Sequence, residues 1–231
     1  MSLEQNLLEV EMKIAQSQTK SKFGQKVELI AVTKTVESDV MNEVIKLGVK
    51  NIGENKVQEV QRKYDDIAFS VKWHLIGTLQ TNKVKYIADR VDMIHSLDRI
   101  ELAKEIDKQA KKHNRIIDCL IQVKISHEDT KHGAGIEDVI PLIEYISENC
   151  LNIRVCGLMG MAPYMTEKSE TRIYFRKLKQ IFDEIKIKNI NNVDMKHLSM
   201  GMSNDYEIAI EEGATLVRIG TSLFGERNYA L

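Results

Sequence analysis

Apolar and polar positions follow two recurring patterns along the chain. Apolar runs of about four to eight residues are typical of strands buried on both faces of a parallel sheet, whereas apolar positions spaced three and four apart are typical of amphipathic helices. The chain switches regularly between the two patterns. The apolar runs predict eight strands, at residues 27–35, 49–53, 71–77, 91–96, 116–125, 153–159, 195–200 and 215–220.

Helical patterns fill the intervals between these strands, and one more helix precedes the first strand. The predicted helices lie at residues 7–15, 38–47, 54–64, 78–88, 98–110, 136–149, 169–187 and 205–212. Such alternation implies right-handed crossovers and a parallel sheet. Eight units in 231 residues predict an α/β fold, a (β/α)8 TIM-type barrel, as a single domain over residues 1–231 with an extra N-terminal helix. A doubly wound open sheet is the alternative, but no predicted strand is followed by GxGxxG.

Charge balance, hydropathy and cysteine spacing argue against several classes of protein. Lys+Arg (33) and Asp+Glu (34) nearly balance, which gives no reason to expect a nucleic-acid or acidic-membrane partner. No apolar run approaches the about 20 residues of a membrane span, and the first residues do not resemble a signal peptide. Cys119, Cys150 and Cys156 lack CxxC spacing, so we expect buried thiols rather than a zinc site or disulfides. These features predict a soluble, cytoplasmic protein.

The first predicted strand, residues 27–35, carries Lys34 near its end. One interpretation is an ordinary lysine that reaches water, since burying an unpaired ammonium is costly. The other is a Schiff-base lysine, because desolvation at a barrel mouth lowers the pKa of the amine and frees it for attack on a carbonyl.

The loops after strands seven and eight are the usual phosphate site of such a barrel. Gly201 and Gly220 allow backbone amides to approach a ligand closely, and Ser199, Ser203 and Thr221 supply hydroxyls. The alternative is that the glycines turn the chain and the hydroxyls cap helices. The two loops together favour a phosphate site.

Three further kinds of polar residue stand at predicted strand ends. Arg218 lies in an apolar strand and needs a partner, which is either a ligand's ring nitrogen or acid, or a barrel carboxylate. His74 and His95 lack neighbouring ligands at metal spacing, so we expect a hydrogen-bonded pocket wall and no metal site. Asn55 could donate to a ligand oxygen or cap the next helix.

Six motifs at these strand ends together resemble the pyridoxal phosphate homeostasis proteins, also called the proline synthase co-transcribed or YggS-like family. They are residues 31–35 (AVTKT), 52–55 (IGEN), 73–83 (WHLIGTLQTNK), 157–161 (GLMGM), 198–205 (LSMGMSND) and 217–221 (VRIGT). The resemblance covers nearly the whole chain, in order.

This resemblance implies a barrel that binds pyridoxal 5′-phosphate and is similar to the N-terminal domain of alanine racemase. It implies Lys34 as the covalent aldimine lysine and Arg218 as the partner of the pyridine nitrogen. The remaining expected cofactor-binding residues are Asn55, Ser199, Met200, Gly201, Gly220 and Thr221, of which Ser199, Gly201, Gly220 and Thr221 would hold the phosphate. Two departures concern the rim: Lys124 stands where the family usually has asparagine, and His132 where it has serine or threonine.

The resemblance and the expected role of Arg218 both bear on whether the protein is an enzyme. Arginine only donates hydrogen bonds, so the ring nitrogen beside it stays unprotonated and the cofactor is a weaker electron sink. The chain ends soon after the eighth predicted strand, without room for the β domain that supplies a second base in alanine racemase-like enzymes. We therefore expect a monomeric carrier or buffer of pyridoxal phosphate, no catalytic residues, and PLP-dependent apo-enzymes as candidate recipients. The alternatives are a weak racemase or decarboxylase, and a Schiff-base aldolase that uses Lys34.

Overall fold

The computed structural model describes residues 2–126, 132–163 and 167–225. Within these residues, eight parallel strands form a closed barrel in sequence order, and the last strand pairs with the first. The predicted (β/α)8 barrel is therefore confirmed, and the open-sheet alternative is excluded. The strands are β1 (Glu28–Val32), β2 (Asn51–Glu54), β3 (Lys72–Leu75), β4 (Met93–Leu97), β5 (Ile117–Gln122), β6 (Ile153–Met159), β7 (Val193–Met202) and β8 (Leu216–Ile219).

Helices connect the strands on the outside of the barrel, and the predicted N-terminal helix precedes β1. They are α1 (Leu3–Lys20), α2 (Ser38–Lys46), α3 (Val57–Lys63), α4 (Ile100–Lys112), α5 (Ile136–Asn149), α6 (Lys168–Lys188), α7 (Tyr206–Glu211) and α8 (Thr221–Phe224). Short 3-10 helices cover Tyr64–Asp66 and Thr81–Tyr86.

The structure corrects three predicted boundaries. The α-helix expected at residues 78–88 is replaced by the 3-10 helix Thr81–Tyr86, which begins with threonine and asparagine, two residues of low helix propensity. Glu54 ends β2 instead of starting a helix. β1 ends at Val32, so Lys34 lies in the turn that follows the strand.

Strand side chains alternate between two buried regions. Outward-facing residues such as Ala31 and Ile52 pack with the helices in the larger hydrophobic core. A smaller apolar cluster forms around Ile30, Met93, Leu120, Cys156, Met159 and Leu216. Hydrogen-bonded polar side chains of β2, β3, β4, β7 and β8 are buried as well, namely Asn51, His74, His95, Ser199 and Arg218.

Helix α1 packs against α7 and α8. Its buried residues include Leu7, Val10 and Ile14, and the Asn6 side-chain amide donates to the main-chain oxygen of Leu223 over 3.0 Å. Because α8 follows β8 directly, α1 supports the loop in which Gly220 and Thr221 lie.

Other expectations from composition concern membranes and cysteines. In the described part of the chain, no helix combines the length and apolar character that a bilayer crossing requires. Cys119, Cys150 and Cys156 are free, buried thiols, as predicted. Burial raises the pKa of Cys156 to about 12, so its thiol stays protonated and unreactive at neutral pH.

Candidate functional site at the carboxyl end of the barrel

Lys34 lies in a tight turn between β1 and α2. The amide of Val36 donates to the oxygen of Thr33 over 2.9 Å, and Thr35 adopts a positive φ of 63°. Lys34 itself is half-buried. Among the described residues, its ammonium has neither a hydrogen-bond acceptor nor a carboxylate partner. The amine is therefore available to a ligand at this end of the barrel.

The residue before Lys34 is held by a buried ion pair. Lys63 and Glu54 are both completely buried, and the Lys63 Nζ lies 2.8 Å from Glu54 Oε1 and 2.9 Å from the Thr33 main-chain oxygen. The Thr33 hydroxyl donates to the same carboxylate oxygen over 2.7 Å. Burial raises the pKa of Glu54, and its other oxygen, Oε2, has no partner among the described residues. This pair fixes the main chain from which Lys34 projects.

This pair is not among the residues that the sequence predicts for the site. Lys63 belongs to the predicted helix 54–64, where it continues the inward-facing positions of Val57 and Val60 at a spacing of three residues. That spacing, with Glu54 at the end of the preceding strand, was the available signal.

Asn55 follows β2 directly and is half-buried. A Cβ atom on Gly77 would lie only 2.2 Å from the main-chain oxygen of Asn55, so glycine at position 77 lets the segments after β2 and β3 pack together. No hydrogen bond of the Asn55 side chain is present among the described residues, which leaves its amide available.

The loops after β7 and β8 are joined by Ser203. Its hydroxyl oxygen accepts hydrogen bonds from the amides of Gly220 and Ser222, both over 3.3 Å. Thr221, the first residue of α8, is exposed. Because Ala31 of β1 pairs with Ile219 of β8, this loop lies beside the Lys34 turn. The structure thus brings Gly220, Thr221 and Lys34 to the same side of the barrel mouth.

The β7 residues predicted for the phosphate have different surroundings. Gly201 adopts a φ of +91°, and a Cβ atom there would lie 2.6 Å from the Ala209 Cβ, so α7 packs directly on it. The Met200 side chain is buried in the core that the helices share. The Ser199 hydroxyl is buried and contacts Arg218 and His95 instead of the loops.

Arg218 is only 4% exposed, yet no carboxylate among the described residues forms an ion pair with it. One terminal nitrogen donates to Ser199 Oγ over 2.6 Å, and the other donates to the Gly160 oxygen over 3.2 Å. Burial lowers the pKa of Arg218 to about 10, and the charge of Asp205 acts in the opposite direction. Arg218 is therefore still a cation at neutral pH, and three of its five N–H donors lack an acceptor in the described structure.

His95, His74 and Asn51 continue the polar contacts from Ser199. His95 Nδ1 lies 3.0 Å from Ser199 Oγ, His95 Nε2 lies 2.9 Å from His74 Nδ1, and His74 Nε2 lies 3.2 Å from Asn51 Oδ1. Burial lowers the pKa of His74 to about 3 and that of His95 well below its ordinary value. Both rings are neutral and hydrogen-bonded, and the described residues include no group of metal ligands.

The rim after β5 contains the two departures from the family pattern. The Gln122 side chain donates to the main-chain oxygen of His132 over 2.9 Å, and the Lys124 amide donates to Ala134. These contacts hold residues 132–134 against the end of β5. Lys131, which precedes His132 in this loop, lies outside the described residues.

A cavity of about 270 Å³ opens at the opposite, amino end of the strands. Two of its arginines have partners: Arg154 forms two hydrogen bonds with Asp118, and Arg115 donates to the oxygens of Ala88 and Val91. The half-buried Lys34 and the unfilled donors of Arg218 make the carboxyl end the better candidate site.

Replacing Lys63 by methionine should destabilise the protein by about 3–5 kcal/mol, because it leaves the Glu54 carboxylate buried without a cation. Urea unfolding at pH 7 measures the loss. The double variant Lys63→Met/Glu54→Gln should recover part of it, and Lys13→Met, which removes an exposed pair with Glu9, serves as the surface control. Equal effects of Lys63→Met and Lys13→Met would contradict the role of the buried pair.

Stability should fall as the pH drops from about 6.5 towards 3. The unfolded chain binds protons at His74 and His95 in this range while the folded protein does not, which costs about 1.4 kcal/mol per histidine and pH unit. Unfolding measured at pH 7 and pH 5 tests this. Burial raises the pKa of Glu54 and Asp205, which acts in the opposite direction. The variants His74→Gln and His95→Gln therefore isolate the histidines: each should flatten the dependence, and an unchanged slope would argue against neutral, buried rings.

Comparisons with known proteins show the family to which the chain belongs. Residues 9–228 match the family described as alanine racemase, N-terminal domain. A pyridoxal phosphate homeostasis protein of Aquifex aeolicus is 50% identical over 202 residues, 87% of each chain, and that of Haemophilus influenzae is 33% identical over 100% of this chain and 98% of its own. The structure of PipY from Synechococcus elongatus PCC7942 with PLP bound superposes with a TM-score of 0.85 at 30% identity, covering 97% of this chain and 100% of PipY. The chain therefore belongs to the pyridoxal phosphate homeostasis protein family, which has the barrel of the alanine racemase N-terminal domain.

Proposed function

We propose that this protein binds pyridoxal 5′-phosphate at the carboxyl end of its barrel and acts in intracellular pyridoxal phosphate homeostasis. The observation that carries the proposal is the pair of cations at one mouth, Lys34 and Arg218, neither of which contacts a carboxylate among the described residues. An aldehyde with a phosphate and a basic ring nitrogen is complementary to both groups. The names of the relatives and the ligand of PipY support the same cofactor.

Each residue of the set has a distinct proposed role. The neutral amine of Lys34 would hold the aldehyde carbon as a Schiff base, with the carbonyl oxygen leaving as water, and Arg218 would donate to the ring nitrogen. The main chain of Gly220 and the hydroxyl of Thr221 bind the phosphate. Main-chain groups of Met200 and Gly201 complete that contact, Asn55 donates to a ligand oxygen, and Ser199 contributes by orienting Arg218.

We further propose that the bound cofactor is held or delivered without catalytic turnover, by a single-domain monomer in the cytoplasm. Arginine keeps the ring nitrogen unprotonated, so the cofactor withdraws electrons less strongly than it would beside a carboxylate. PLP-dependent apo-enzymes are the candidate recipients. The homeostasis names of the relatives support this reading over a racemase, a decarboxylase or an aldolase.

Borohydride reduction of the protein with bound pyridoxal phosphate should leave a pyridoxyl group on Lys34, located by peptide mass spectrometry. Lys34→Ala should lose the visible Schiff-base absorbance and bind at least about tenfold more weakly, or 1.4 kcal/mol. Lys56→Ala is the matched control, because Lys56 is exposed and follows β2 at the same end of the barrel. An adduct on another lysine, or none, would refute the assignment of Lys34.

Two experiments on the protein loaded with pyridoxal phosphate test cofactor delivery and catalytic turnover separately. An apo-enzyme should regain activity faster from the loaded protein than from the same amount of free cofactor with a trapping agent present. Equal rates would show release instead of delivery. Incubation with single enantiomers of amino acids should yield no product by chiral chromatography, and turnover that Lys34→Ala abolishes would contradict the non-catalytic proposal.

A further inference from the structure

A continuous line of hydrogen-bonded side chains links Arg218 to Glu28 at the amino end of the strands. Beyond the contacts of Ser199, His95 and His74 described above, the Asn51 amide nitrogen lies 3.2 Å from Glu28 Oε2 and 3.4 Å from the Leu29 oxygen. We call these six side chains, Glu28, Asn51, His74, His95, Ser199 and Arg218, the polar chain. They come from six different strands, so the polar chain crosses the barrel from β1, β2, β3 and β4 to β7 and β8.

The hydrogen bonds of the polar chain all run in one donor-to-acceptor direction. The acceptors at the amino end of the strands determine this direction. Glu28 and the Leu29 carbonyl only accept hydrogen bonds, so the Asn51 nitrogen faces them and its oxygen faces His74. His74 Nε2 must then carry the proton. Because a neutral ring has one N–H, His74 Nδ1 is an acceptor, and the facing His95 Nε2 must be the donor.

The same logic determines the other end of the polar chain. With its proton on Nε2, His95 presents Nδ1 as an acceptor, and the Ser199 hydroxyl donates to it. The Ser199 oxygen then has only lone pairs left to offer, and Arg218 donates to them over 2.6 Å. Every contact from Arg218 to Glu28 therefore has one donor and one acceptor.

We propose that His95 is a positioning residue for Arg218: as the Nε2–H tautomer it turns the Ser199 hydroxyl away, so that Ser199 can only accept from the guanidinium. Arg218 is then held by two fixed acceptors, Ser199 Oγ and the Gly160 oxygen, and its remaining donors are reserved for a ligand. The effect on a ligand rests on the proposed function, because it assumes that Arg218 meets the ring nitrogen of pyridoxal phosphate. The tautomers themselves do not depend on any ligand.

The first test needs no ligand. Long-range 1H–15N correlation spectra of the full-length protein, labelled at histidine, distinguish protonated from unprotonated ring nitrogens. His74 and His95 should both show protonated Nε2 and unprotonated Nδ1 between pH 6 and pH 8, with His74→Gln and His95→Gln used for assignment. A proton on His95 Nδ1, or a doubly protonated ring, would overturn the proposal.

The second test compares two variants whose side chains have the same branching and the same number of heavy atoms. His95→Leu removes the acceptor for Ser199, whereas His95→Asn places an amide oxygen close to the position of Nδ1. His95→Leu should weaken pyridoxal phosphate binding by about threefold to tenfold and shift the absorbance maximum of the bound cofactor. His95→Asn should retain most of the affinity and the wild-type maximum. Ser199→Ala, which removes the contact with Arg218 itself, should show the largest loss, about tenfold.

These outcomes separate the inference from the proposed function. If the wild-type protein bound no pyridoxal phosphate, the proposed function would fail while the tautomer spectra still decided the direction of the polar chain. If the wild type bound the cofactor and His95→Leu matched it in affinity and spectrum, the positioning role would be wrong. Equal losses in His95→Leu and His95→Asn would indicate a packing role and would also refute it. If His95→Leu failed to fold, the tautomer spectra and Ser199→Ala would still decide.

Discussion

A buried guanidinium without a carboxylate partner constrains the whole interior of this barrel. Arg218 is 4% exposed, and an unpaired buried cation is costly unless its donors find acceptors. Ser199 and the Gly160 carbonyl supply two of them. Since Ser199 is itself buried, its hydroxyl needs a partner in turn, and this requirement passes through His95 and on to Asn51. One strand residue thus determines the chemistry of side chains on several other strands.

The two cations of the site are held in opposite ways, and their chemistry explains why. Arg218 has only to donate hydrogen bonds, so a rigid polar chain helps by holding its donors in one orientation. Lys34 has to move as its amine approaches a carbonyl carbon, and among the described residues its side chain has no bonded partner. Only the main chain before it is fixed, through Thr33 and the buried pair of Glu54 and Lys63. The scaffold therefore fixes the main chain from which Lys34 projects and leaves its side-chain amine free to move.

Much of this arrangement follows from local sequence patterns, and the remainder depends on contacts between distant strands. Apolar runs predicted every strand within a few residues, and polar residues at strand ends predicted Lys34 and Arg218 at one mouth. Periodicity cannot identify a partner across the barrel: Ser199 and His95 are 104 residues apart, and Ser199 was therefore assigned to the phosphate. The burial of Lys63 is likewise not predicted by its place in the helix 54–64, because its carboxylate partner, Glu54, lies on another element.

The neutrality of the two histidines matters as much as their hydrogen bonds. A protonated His95 would place a second cation one hydroxyl away from Arg218 and would need Ser199 as an acceptor, in competition with the guanidinium. Burial lowers the pKa of both rings, so the positive charge beside the cofactor site comes from Arg218 and Lys34. The proposed partner of Arg218 is a basic ring nitrogen, which needs one fixed donor. A second cation close to Arg218 inside the barrel would repel the guanidinium. The fold therefore places the positive charges of Lys34 and Arg218 near the mouth and the neutral His74 and His95 rings beneath them. This distribution suits a phosphorylated, ring-containing ligand.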